Sequence, residues 1–248
     1  MTTTTVIPSA RAPQVGAHDR TFYSGISIAM ALTVLAGFGP TYFFRAWTHT
    51  PTISGLTTLS PLLHVHGLLF SAWVVLFVVQ TTLIAQRRVA VHRRLGVAGV
   101  ALAALMVVVG LSTAIEGVRR GAAPPGVEPL AFLSVPFFDL VLFTGFVTAA
   151  VVQRRNREAH KRLMLLAYVS IIAAAVARMP GMLSLGPFGF FGASFLFVVA
   201  GIVYDKVSRG RVHRVYAIGG TLIALSVPGR LIFSSTGAWR SFAEFLTR

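Results

Sequence analysis

The chain has 248 residues, 55% hydrophobic and 12% charged, with a mean hydropathy of +0.75. Its apolar residues fall in runs of about 20, the length that crosses roughly 30 Å of hydrocarbon, which excludes a water-soluble globular class and implies a polytopic membrane protein. The absence of cysteine excludes disulfides, thiolate metal sites, iron–sulfur clusters and c-type haem attachment, and the formal charge of +15 lies in short loops between apolar runs, where it orients the chain and does not mark a nucleic-acid surface.

The first 20 residues, with a threonine run, Pro8 and Pro13, read as a disordered cytoplasmic tail without the apolar core of a signal peptide. Residues 21–248 read as one transmembrane helical domain. Seven spans are expected, over 22–44, 61–85, 95–115, 130–152, 163–177, 188–204 and 215–233. Ser60 before Pro61 marks a helix start, since the serine oxygen can cap a free amide and proline has none to leave unpaired. Pro180, Gly181, Gly186 and Pro187 crowd the connection between spans five and six. The tail and the loops after spans two, four and six hold 15 of the 22 basic residues. By the positive-inside rule the N-terminus is cytoplasmic and the C-terminus outside, in a bacterial inner membrane whose anionic lipids meet the basic loops. The expected fold is therefore an all-α polytopic bundle of about seven spans.

Three of those loops close on the same kind of signature, beginning at His92, His160 and His213, each followed by basic residues and an apolar run. The three histidines are thus expected at one membrane face on three helices. They are candidate ligands for haem b, which needs one imidazole on each face of its iron and finds arginines nearby for its propionates. Zinc or di-iron is a second reading, opposed by the many basic residues at that interface; interfacial anchoring is a third.

A second group is expected toward the other face. His64 and His66 lie in span two, and His66, Trp73 and Gln80, spaced by seven, share one helical face. Asp139 lies inside span four, where an ionisable residue marks a candidate functional site. Arg178 and Arg230, each beside a Pro-Gly pair, match it in depth. If both arginines and His66 met Asp139, the surplus positive charge would suit a quinone head group, a carboxylate or a lipid phosphate. Purely structural pairing is the alternative. There is no HExxH, P-loop, G-x-S-x-G or paired-aspartate motif, and span seven has no lysine for a retinal Schiff base.

The stretches Gly39-Pro40-Thr41-Tyr42-Phe43, His64-Val65-His66-Gly67, His92-Arg93-Arg94-Leu95-Gly96 and His160-Lys161-Arg162-Leu163-Met164 resemble a group of bacterial multi-span proteins. The His-Arg-x-Leu-Gly element is similar to that of the DUF2306 membrane proteins and, more distantly, of cytochrome b561-type haem proteins. That resemblance implies haem held by histidine pairs on neighbouring helices; an outer pair is not evident, since His64, His66 and His49 all come from one helix or its loop. The layout also resembles progestin and adiponectin receptor-type hydrolases, whose paired histidines on the last span are missing. Three functional readings stand: a redox protein using haem b or quinone, a small-solute or lipid carrier, and an accessory protein without chemistry.

Overall fold

The computed structural model describes residues 15–50, 52 and 58–248, and it is helical with no strand among them. The tail expected over residues 1–20 lies outside the described residues for its first 14 positions. Helix α1 (Val15–Phe38) runs into a π-helical turn (Gly39–Phe43) and a short α2 (Arg45–Thr48). Next come α3 (Pro61–Ala85), α4 (Val89–Arg119), the single turn α5 (Pro129–Phe132) and α6 (Ser134–Val152). The chain continues through α7 (Arg157–Val176), α8 (Gly186–Arg209), α9 (Arg214–Ser234) and α10 (Gly237–Thr247). Seven of these segments are long and apolar enough to cross a membrane, in the positions read from the sequence. The protein is thus an integral membrane protein by length and composition of its helices.

Local chemistry sets the helix starts. Ser60 Oγ accepts from the Leu63 amide at 3.2 Å ahead of Pro61, as its sequence implied. Asn156 caps α7 through Ala159 N (3.1 Å), and His213 caps α9 with its ring, Nδ1 accepting from Val215 N at 3.2 Å. Helix α8 ends on Gly210 in the left-handed region (φ 70°), a conformation that costs glycine little.

Six helices close a ring in the order α1, α3, α4, α6, α9, α8, and α7 stands inside it. The central position explains the burial of α7, where thirteen of twenty residues are enclosed, Arg162 among them. Its run of small residues lets neighbours approach closely. A Cβ on Gly37 of α1 would lie 2.1 Å from the backbone oxygen of Ala175, so α1 and α7 meet backbone to backbone.

Helix α10, beyond the seventh span, is amphipathic and lies against α4, α5 and α9. Trp239 anchors it, enclosed by Phe137, Phe138 and Phe233, with Nε1 donating to Leu130 O at 2.8 Å. The loops α3–α4, α6–α7 and α8–α9 lie at one end of the bundle, called here the basic end; α10 lies at the opposite end.

Candidate functional site

At the opposite end the expected group divides in two. Arg230 on α9 donates through Nη1 to Asp139 Oδ1 on α6 at 2.5 Å, and both side chains are buried. Further guanidinium hydrogens go to Val135 O (3.3 Å), Ser226 O (3.1 Å) and Ser226 Oγ (3.0 Å), and the group lies 4.6 Å over the Phe191 ring. Four of the five Arg230 N–H groups are thus engaged by its own surroundings. Arg178 joins neither of them: it lies 4.5 Å over the Phe38 ring and donates to Ala174 O at 2.6 Å, with no carboxylate partner among the described residues.

His66 lies close enough to Arg178 to feel its charge, and it stacks on Phe70 at 4.1 Å. Its Nδ1 is buried without a hydrogen-bond partner among the described residues, as is Trp73 Nε1. Trp73 packs edge-on against Phe143. His64 points elsewhere, toward the Tyr42 hydroxyl at 3.4 Å. Of the two arginines, Arg178, beside His66, is therefore the one without a carboxylate partner among the described residues, and the two do not form a joint pair around Asp139.

At the basic end two of the three signature histidines meet. The rings of His92 on α4 and His160 on α7 have centroids 6.3 Å apart with planes at 86°. His160 Nδ1 is 2.8 Å from Ala150 O, which can only accept, so this nitrogen carries the proton. With the Gln80 amide turned so that its nitrogen faces the ring, it donates to His92 Nδ1 at 2.6 Å while its oxygen accepts from Gly96 N at 3.1 Å. Both Nδ1 atoms are thus engaged, with opposite results: the neutral His160 ring keeps an unprotonated Nε2, while the neutral His92 ring, its Nδ1 accepting, carries its proton on Nε2. Gln80, expected with His66 and Trp73, serves the histidine pair instead.

His213 belongs to a different set of neighbours. Its backbone N–H donates to Asp205 Oδ2 at 3.1 Å, and Asp205 also pairs with Arg162, both side chains fully enclosed. Arg162 reaches Glu158 at 2.8 Å, Lys161 bridges Glu158 and Asp19, and Arg209 joins Asp19 to the same group. The Tyr204 hydroxyl donates to Asp19 Oδ1 at 2.6 Å. Three carboxylates and three cations therefore balance. Partial burial, then the adjacent Arg162 charge, hold the His213 imidazole below the usual histidine range, in keeping with its neutral, accepting Nδ1.

Sequence reasoning missed this network. Asp19 lies in the expected tail, and Arg162 reads in the sequence as one of the basic loop residues that orient the chain. The available clue was the scarcity of acid: of seven acidic side chains in the chain, two, Glu158 and Asp205, lie at signature loops otherwise rich in arginine and lysine. No group of three or more metal-ligating side chains converges among the described residues, so His213 does not join the His92–His160 pair. Comparison with protein-family models, with curated proteins and with solved structures returns no match.

Proposed function

We propose that the chain is a membrane redox protein that holds haem b between His92 and His160. One observation carries this reading: two imidazoles on different helices, each hydrogen-bonded through Nδ1, with ring centres 6.3 Å apart. His92 and His160, from α4 and α7, would hold the haem iron between them. Fixing Nδ1 by a carbonyl or amide sets the tautomer and ring orientation of a ligating histidine. Ala150 O performs that role for His160; at His92 the Gln80 side chain would have to present its oxygen, accepting from Nδ1–H, for Nε2 to bind iron.

The donor set also suits haem better than a bare metal ion, because a porphyrin supplies four nitrogens and asks the protein for two. Arg93 and Arg94, exposed next to His92, supply positive charge for the propionates. When bound, the iron supplies one-electron transfer; the protein positions it at the basic end, which the positive-inside rule places in the cytoplasm. A quinone head group near Arg178 and His66 is the matching partner at the other end, since Arg178 offers N–H donors to a carbonyl and His66 Nδ1 seeks a partner.

Purified protein from haem-replete cells should show a Soret band that His92→Ala and His160→Ala each abolish and His213→Ala leaves in place. Absence of that band in the parent protein would overturn the proposal. The carrier reading, in which Arg178 and His66 hold an anionic solute, would then be the better account.

A further inference from the structure

A groove of about 740 Å³ opens on the lipid-facing side of the bundle between α6 and α9, floored by Ala159 and Leu163 of α7. It has no part in the histidine pair or the Arg178 group. Its far end, at Val141 and Leu222, is apolar, and its mouth at the basic end carries Gln153, Asn156, His213 and Arg214. From Val141 to Gln153 is about 18 Å of helix, close to one leaflet of a hydrocarbon core about 30 Å thick.

The mouth is built for an anion. Asn156 and His213 are the N-caps of α7 and α9, so two long helices present their positive ends to one place, and Arg214 adds a full charge. The neutral His213 ring keeps an Nε2–H, because its Nδ1 accepts from Val215. The acids nearest by, Glu158 and Asp205, are engaged by Arg162 and its neighbours. Gly145 borders the open part of the trough: a Cβ there would meet no atom within 4 Å.

We propose that this groove is a binding site for an anionic phospholipid, with the phosphate among Arg214, His213 and the two helix N-termini and one acyl chain lying along Gly145 toward Val141. A single-leaflet length, apolar walls and a basic mouth match that amphiphile. A neutral isoprenoid quinone would leave the charge at the mouth unanswered.

The test uses the purified full chain in detergent, titrated with phosphatidylglycerol or phosphatidylcholine, with native mass spectrometry to count retained lipid and thermal unfolding to follow its effect. The parent should retain phosphatidylglycerol in preference and be stabilised by it. Arg214→Gln should weaken retention about fivefold, the contribution of one basic residue near an anionic headgroup. Gly145→Leu should abolish it while leaving the lipid-free protein as stable, since the leucine enters open space and removes a helical glycine. Ala149→Leu, one turn nearer the mouth, should block the groove in the same way. Arg87→Gln, an equal charge change in the α3–α4 loop, should have no effect. The proposal fails if both filling variants retain phosphatidylglycerol as the parent does. It fails equally if Arg87→Gln weakens retention as much as Arg214→Gln, which would mean general surface charge, or if a neutral isoprenoid quinone displaces the phospholipid at equal concentration.

Discussion

Asp139→Ala should destabilise the protein by about 3–5 kcal/mol, the range for removing one partner of a buried ion pair. The geometry supports the upper part of that range for this partner and not for the other. Arg230 has 1% of its side chain exposed and Asp139 10%, so neither has water to fall back on. Without Asp139 the guanidinium keeps its charge, because arginine cannot release its proton in a protein, and only Val135 O, Ser226 and the Phe191 face remain around it. Arg230→Met leaves a carboxyl group, which escapes its charge by taking up a proton, and the cost falls to that of a buried group short of a hydrogen bond, about 1–3 kcal/mol. The double change Asp139→Leu with Arg230→Met removes both charges and should recover most of the loss. Denaturant unfolding in detergent, followed by tryptophan fluorescence, measures all three. If Asp139→Ala costs no more than Arg230→Met, or if the double variant is as unstable as the two losses added, the pair is not the buried, mutually dependent unit described.

Reporter fusions after Ala85 and Val152 should be active only as cytoplasmic reporters, and fusions at the C-terminus only as exported ones; the opposite pattern would reverse the sidedness drawn from the basic loops. His213 is held below the usual histidine range in the folded protein, so its contribution to stability is present above about pH 6.5 and is lost as the pH falls below that value toward the lower folded one. His213→Asn keeps a capping side chain and should flatten the stability curve below about pH 6.5; a curve as steep as the parent's would assign the pH response to another group. Replacing Arg162 and Asp205 together by methionine and leucine should leave stability within about 2 kcal/mol of the parent, whereas Arg162→Met alone should lose more, which comparative unfolding would detect.

The spans were legible because crossing a bilayer demands long uninterrupted apolar runs, and polar connections, three of them strongly basic, separate them. Helix α10 was not, because eleven residues alternating Trp239, Phe242 and Phe245 with Arg240 and Glu244 never make such a run. The Asp139–Arg230 contact could be anticipated from depth alone, since a lone carboxylate in hydrocarbon needs a cation at its own level. Depth could not decide between Arg178 and Arg230. That choice depends on rotation about the helix axes and on the order of helices around the ring, neither of which is written in local spacing. The same limit applied to the histidines. Three near-identical signatures gave equal depth, but α7 turns His160 toward α6 and α4, while α9 turns His213 toward the Asp205 network. Gln80 was assigned to the wrong neighbours for a related reason: the short turn after α3 brings it beside His92, which a single-helix stripe does not reveal.

The two halves of the α7 signature do different work on opposite sides of one helix. His160 faces Ala150 and His92, while Lys161 and Arg162 face Asp19 on α1 and Asp205 on α8. The ionic network therefore fixes the rotation of α7 at the turn that aims His160. Buried pairs of this kind add little net stability over apolar packing, because desolvation offsets attraction. Their value lies in geometry: the ring contact between His160 and His92 tolerates little rotation of either helix. The apolar side chains of α7, Leu165, Leu166, Tyr168 and Ile172 among them, set its packing along the bundle, and the polar contacts at the basic end add a directional restraint beside His160.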